Sequence, residues 1–252
     1  MLKKRIIPTL LFKNNKLVKG KQFNSWRTVG SIMQAVRVYK IRKVDELILL
    51  DITATNIKRD IDYELINEVA NECFMPLSYG GGIKKIDDIS KILKCGADKV
   101  CINTSATKDL KFIEEACKIF GSQAIIVAID YRIDINNKIE VWSNSGSFKT
   151  DLNFEDYLKK LESSGVGEII LTSIDRDGTM IGYDIETLSI ANKLIQVPII
   201  ASGGAGEFKN MLKLLNQTNI SALAAGSIYH FTKKTPLDVK KYLMKNGIPV
   251  RI

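Results

Sequence analysis

The chain has 252 residues, 45% of them hydrophobic and 26% charged, which suits one soluble α/β barrel domain with a large core. No apolar run approaches the length of a membrane span, and the apolar part of the opening Met1-Leu-Lys-Lys-Arg-Ile-Ile is too short for a secretory signal, so the sequence reads as cytoplasmic. The net charge of +9 comes largely from lysines scattered over helical stretches (Lys84, Lys85, Lys91, Lys94, Lys233, Lys234, Lys240, Lys241) without interleaved aromatics; this points to solvated faces that attract anionic substrates rather than to a nucleic-acid stripe.

In chain order, short β-branched apolar runs alternate with amphipathic stretches. The predicted strands are Arg5–Leu11, Glu46–Asp51, Leu77–Tyr79, Lys99–Asn103, Ala124–Asp130, Glu168–Ser173, Ile199–Ser202 and Ser221–Ala225. The predicted helices lie near 31–43, 60–73, 85–95, 107–119, 154–165, 184–195, 207–216 and 236–246. Eight such pairs argue for a closed parallel barrel, a single (βα)8 TIM barrel over 1–252, and the first strand lacks the glycine-rich turn of an open doubly wound sheet. Two connections are long, 12–30 and 131–152, and long loops at strand C-termini are where barrels place lids and sites.

An internal duplication refines this picture. Pro76-Leu-Ser-Tyr-Gly-Gly-Gly-Ile and Pro198-Ile-Ile-Ala-Ser-Gly-Gly-Ala fall into register 122 positions apart. The same offset sets Glu46-Leu-Ile-Leu on Glu168-Ile-Ile-Leu and Asn103-Thr-Ser on Ala225-Gly-Ser. The expected barrel is therefore two similar half-barrels, about 1–122 and 123–252. Gly80-Gly81-Gly82 follows the third strand and Gly203-Gly204 the seventh, each paired one unit later with a short polar exit. Such glycines serve either as tight turns or as a cradle in which backbone N–H groups approach a phosphate. Two copies at one offset point to two phosphate sites and a bisphosphate lying across the mouth.

Carboxylates end three strands: Asp51, Asp130, and the Asp175-Arg-Asp177-Gly turn. Each is placed either to cap the following turn or to carry protons and hold sugar hydroxyls. Asp130 is the stronger candidate, because it closes a wholly apolar strand, and its partner by duplication is Leu11. Cys73, Cys95, Cys101 and Cys117 lack metal or redox spacing and read as reduced, mostly buried thiols. With His230 the only histidine, most Cys–His and Ser–His nucleophiles and a histidine-rich metal site are excluded; no metal or organic cofactor is expected.

These features together resemble the cyclase subunit of imidazole glycerol phosphate synthase, the HisF family, over essentially the whole chain. The specific stretches are Lys4-Arg-Ile-Ile, Val18-Lys-Gly, Asp45-Glu-Leu-Ile-Leu-Leu-Asp-Ile-Thr-Ala, Gly80-Gly-Gly-Ile, Gly96-Ala-Asp-Lys-Val, Ile102-Asn-Thr, Phe120-Gly-Ser-Gln-Ala, Gly167-Glu-Ile-Ile-Leu-Thr-Ser-Ile-Asp-Arg-Asp-Gly-Thr and Ile200-Ala-Ser-Gly-Gly-Ala-Gly. The resemblance implies a barrel that takes ammonia from a glutaminase partner at its bottom face. Ammonia passes through the interior to attack a bisphosphorylated ribulosyl aminoimidazole carboxamide at the top. Carried over by residue, phosphate contacts fall on Gly82, Asn103 and Thr104 at one end, and on Asp177, Gly178, Gly204 and Ser227 at the other. Lys19 matches the lysine of a mobile loop over the substrate. Arg5, Glu46, Lys99 and Glu168 match the charged ring that admits ammonia, and Asp98 matches a glutaminase-docking position.

One departure stands against these matches. The family's catalytic pair is an aspartate at the end of strand one and another at the end of strand five. Asp130 supplies the second, but Leu11 occupies the first place, in Pro8-Thr-Leu-Leu-Phe. Asn14-Asn15, the glycine in Ala224-Ala-Gly-Ser-Ile-Tyr and Phe23-Asn-Ser-Trp-Arg-Thr-Val-Gly also depart, and resemble the cyclase paralogues found with surface-polysaccharide genes. The first expectation is accordingly a conduit subunit with impaired cyclase chemistry that passes ammonia toward amidation of a surface-polysaccharide sugar by a separate amidotransferase. The alternative is an active cyclase/lyase of histidine biosynthesis in which Asp51 or Asp177 replaces the missing acid. A bisphosphate sensor without catalysis is a third class.

Overall fold

The computed structural model describes residues 3–42 and 44–251; position 43, the expected end of the first helix, and the chain ends at 1, 2 and 252 lie outside the described residues. The first half runs β1 (Arg5–Lys13), β2 (Lys16–Lys21), β3 (Asn24–Gly30), α1 (Ile32–Ile41), β4 (Leu47–Asp51), α2 (Tyr63–Glu72), β5 (Leu77–Gly80), α3 (Ile86–Lys94), β6 (Lys99–Ile102), α4 (Thr104–Lys108) and α5 (Leu110–Phe120). After a single 3-10 turn, the second half runs β7 (Ile125–Ile133), β8 (Ile139–Ser143), β9 (Phe148–Asn153), α6 (Phe154–Ser163), β10 (Glu168–Ser173), α7 (Ile185–Leu194), β11 (Ile199–Ser202), α8 (Phe208–Gln217), β12 (Ala222–Ala225), α9 (Ser227–Phe231) and α10 (Pro236–Lys245). The same order of elements occurs twice.

Eight strands pair in parallel in the order β10-β11-β12-β1-β4-β5-β6-β7, and β7 pairs β10 to close the ring. The fold is a (βα)8 barrel. Its strands are continuous apolar runs because both of their faces are covered. One alternation, Ile7, Ile48, Cys101, Ile126, Ile170, Ile200, Ala222 and Ala224, fills the barrel interior as its own cluster. The other, including Ile6, Leu47, Leu49, Ile125, Val127, Ile169 and Leu223, packs against the helices.

Every predicted barrel strand and helix has a counterpart, with ends differing by at most three residues. The helix expected at 107–119 divides, because Asp109 accepts from the Lys111 and Phe112 amides and restarts the chain as α5 after the short α4. Both long connections, expected as loops, contain antiparallel hairpins. Asn14 and Asn15 turn β1 into β2 with φ of 50° and 58°, the left-handed pair that a two-residue hairpin requires. The second excursion, β8–β9, extends β7 above the barrel.

Ile113 on α5 is completely buried in the shell between helices and strands. Ile113→Ala is expected to lower stability by about 2–5 kcal/mol, read as a shift in the urea-unfolding midpoint with unchanged slope.

Candidate functional site

A deep concavity opens where the eight strands end. Strand periodicity dictates what reaches it: along β1 the inward side chains are Ile7, Thr9 and Leu11, and along β7 they are Ile126, Ala128 and Asp130. Four strand positions separate β1 from β7 around the ring, so Leu11 and Asp130 face the mouth from opposite sides. Asp130 is buried and pairs with no cation among the described residues; Asn103 donates from Nδ2 to its Oδ2 at 3.3 Å and to the Ala128 carbonyl at 3.0 Å. Burial, helped by the negative charge of Asp177, pushes the Asp130 carboxyl up to about 7. The group is therefore able to give or take a proton near neutrality, and Leu11 offers it no partner.

The two carboxylates considered as replacements for the missing acid are both engaged. Asp51 accepts from the Thr53 amide and hydroxyl and from the Ala54 amide at 2.9–3.0 Å, and pairs with Arg59, which shapes the β4–α2 loop. Asp177 pairs with Lys19 at 2.9 and 3.1 Å in a buried contact. That pair seats the β2–β3 hairpin across the mouth, together with Gln22, whose amide donates to the Asp177 carbonyl and whose Nε2 donates to the Asp175 carbonyl, both at 2.8 Å. Gly178, at φ +73°, permits the seating: a Cβ there would collide with the Gly20 carbonyl oxygen. His230 stands behind Lys19, and burial together with that charge pushes its imidazole down to about 4, so it is neutral at physiological pH.

The paired glycine turns lie on the two sides expected of them. Gly81 and Gly82, at φ +118° and +74°, border the mouth beside Asn103 and Thr104. Gly203 and Gly204, at φ +90° and +99°, border it beside Gly178 and Ser227. A Cβ at Gly81 or Gly204 would strike the Asp51 or Gly182 carbonyl, so these positions require glycine for close backbone approach whatever else they do. The Ser227 and Thr9 hydroxyl oxygens are buried at the mouth with no hydrogen-bond partner among the described residues. Thr104 is less free: its hydroxyl accepts from the Asn144 amide at 3.1 Å and donates to Asn103 Oδ1 at 3.3 Å.

Phe23 and Trp26 of the first hairpin, Ser145 of the second, Thr9 and Thr172 also line the mouth, and residue patterns did not single them out. The Asn14-Asn15 turn and the aromatic spacing 23–26 were the available signals. Bulges between β2 and β3 blur the alternation that would have revealed the hairpin.

At the opposite end, Arg5, Glu46, Lys99 and Glu168 close a ring. Arg5 meets Glu46 at 2.6 Å and Glu168 at 2.9 Å, while Lys99 meets them at 3.2 and 3.0 Å. Each acid bridges both bases, which compensates four charges at the floor of the barrel. Asp98 is exposed beside the ring and accepts from the Leu77 amide at 2.8 Å. The mouth descends to Cys101 and Ile170, each two residues beyond a ring member, about 7 Å of strand. Between the ring and the mouth lie the buried inward side chains Ile7, Ile48, Ile126, Ile200 and Ala222. Burial raises the Cys101 thiol to about 12, an inert group; of the four cysteines only Cys101 and Cys117 are buried, and Cys73 and Cys95 are half-buried.

A closed (βα)8 barrel with its polar groups gathered at the strand C-termini is the architecture of a small-molecule barrel with a two-sided mouth. The family model described as histidine biosynthesis protein matches residues 5–235, and the chain belongs to that family. It is similar to the imidazole glycerol phosphate synthase subunit HisF of Hydrogenobaculum sp. (strain Y04AAS1) and of Dictyoglomus thermophilum, 44% identical to each over 252 residues and all of both chains. It is 40% identical over 251 residues to the same-named subunit of Streptococcus mutans, again along the full length of both.

A buried carboxyl raised above its unfolded value near 3.9 weakens the fold as it ionises: its contribution is intact below about pH 4 and is lost as pH rises through about 7. Asp130→Asn should therefore unfold at higher urea than the parent at pH 8, with the gap closing toward pH 4.

Proposed function

We propose that this chain is the ammonia-receiving barrel subunit of a glutamine amidotransferase complex. A cytoplasmic glutaminase sits on its bottom face, over the Arg5–Glu46–Lys99–Glu168 ring and Asp98. Ammonia enters through the ring, and the apolar layer above it favours the neutral, nucleophilic form over ammonium. A bisphosphorylated ligand lies across the mouth, one end at Gly82, Asn103 and Thr104, the other at Asp177, Gly178, Gly204 and Ser227, under Lys19.

The single observation that carries the finer reading is Leu11 facing Asp130. A two-carboxylate cyclisation needs a proton carrier on each side of the ring being closed, and leucine carries none. Losing one positioned acid or base costs about 10²–10⁴ in rate. Asp51 and Asp177 are committed to Arg59 and Lys19 and do not replace it. On this reading the subunit keeps the ammonia path, its own cyclase chemistry is impaired, and the nitrogen serves amidation of a surface-polysaccharide sugar. The relatives, named as HisF subunits, favour the second reading, an active cyclase of histidine biosynthesis, and Asp130 would supply one half of its machinery.

The test supplies the ribulosyl aminoimidazole carboxamide bisphosphate with excess ammonium salt at mildly alkaline pH and follows the imidazole product. The expected result is turnover at least about 100-fold below that of Leu11→Asp. Turnover in the ordinary enzyme range, unimproved by Leu11→Asp, would establish the cyclase reading instead. Binding of the bisphosphate with neither turnover nor glutaminase stimulation would indicate a sensor. For the docking face, Asp98→Asn keeps an acceptor for the Leu77 amide but removes the charge; calorimetry should show glutaminase binding weakened about tenfold with barrel melting unchanged.

A further inference from the structure

Trp26, in β3 of the first hairpin, is half-buried and lines the mouth. Tryptophan is highly buried on average, yet Trp26 neither belongs to nor packs against either core cluster. Among the described residues no aromatic ring or cation lies over its indole, and its Nε1–H donates no hydrogen bond. Its place is nevertheless fixed. A Cβ at Gly20 would lie 2.7 Å from Trp26 Cε3, so the indole is set against the bare backbone of β2. That backbone is held in turn, because Lys19 is tied to Asp177 in the buried pair and Gly20 lies against Gly178. Phe23 is spent on the second hairpin, where its ring lies against Gly146.

The mouth is chemically two-sided. Leu11, Leu50 and Ile52, from β1 and β4, continue the apolar surface of Trp26, whereas Asn103, Asp130 and Thr172 make the facing wall polar. An indole presents a broad polarisable face with negative potential, and a flat ring laid over it gains more than apolar burial alone. Because the hairpin beneath is pinned, little ordering entropy is lost when a ligand takes up that face. Phosphates and hydroxyls have no use for such a surface; a planar heteroaromatic ring does.

We infer that Trp26 is a ligand-binding residue, which stacks on a planar heteroaromatic ring carried between the two phosphates on the Leu11 side of the mouth. The indole fixes the plane of that ring, and the free Nε1–H is available to a polar substituent at its edge. This rests on the reading that a ligand with a phosphate at each end lies across the mouth, and experiment separates the two.

The test titrates the full chain by calorimetry with aminoimidazole carboxamide ribotide and with ribose 5-phosphate, which shares the sugar phosphate but lacks the ring. The ribotide is expected to bind about tenfold more tightly. Proton NMR reads the stacking directly, because the imidazole ring proton should move upfield on binding, shielded by the indole ring current. Trp26→Leu should abolish that movement and most of the affinity advantage, while changing ribose 5-phosphate binding less than about threefold. Should Trp26→Leu lose ribose 5-phosphate as well, Trp26→Phe decides, since its smaller ring must give a smaller upfield movement. Equal binding of the two compounds, no upfield movement, or an advantage that survives these exchanges overturns the stacking assignment and leaves the mouth reading standing. Absence of binding by both compounds overturns both.

Discussion

Closure of the sheet, through the parallel pairing of β7 with β10, is the constraint on which everything else rests. An open sheet has two outer faces, whereas a closed one has an inside, and strand geometry sends alternate side chains there without exception. Once the ring is closed, a residue's depth along its strand fixes its role. Positions at the strand starts meet at the floor, the next inward positions make the apolar layer, and the last ones face the mouth. Arg5, Ile7, Thr9 and Leu11 are four successive inward positions of a single strand and belong to three environments.

The same closure governs the electrostatics. Inside a low-dielectric barrel a charge is tolerable when compensated and otherwise tends to be neutralised. The floor follows the first course, with two acids and two bases each in contact with both opposites. Asp130 follows the second, since no cation among the described residues pairs with it and its proton is held toward neutrality. Asp177, at the rim, is compensated by Lys19, which turns a potential proton carrier into the seat of a hairpin. Position by position, the local balance of charge decides which carboxylates remain available for chemistry.

Much of this was legible in the residues. Eight β-branched runs, their alternation with helical patterns and the offset repetition of the glycine turns identify the barrel and both sides of its mouth, because those signals are local and periodic. The ring was named only through resemblance: Arg5, Glu46, Lys99 and Glu168 each open a predicted strand, which places them at one end of the barrel, but their pairing depends on side chains far apart in the chain. The hairpins were missed for a related reason. Their outer strands β3 and β9 are largely solvent-facing, so no hydrophobic alternation marks them. The commitments of Asp51 and Asp177 were likewise invisible, since each depends on how a cation is placed by the folded chain, Arg59 by the loop that follows Asp51 and Lys19 by the distant strand β2.

The two excursions have an optical consequence. The chain contains two tryptophans, and each lies in one of the hairpins: Trp26 in β3, lining the mouth, and Trp142 in β8, beneath the Arg132 guanidinium. The barrel wall has none. Intrinsic indole emission from this molecule is thus a report on its two covers alone, and movement of either above the strands is open to fluorescence without any attached dye.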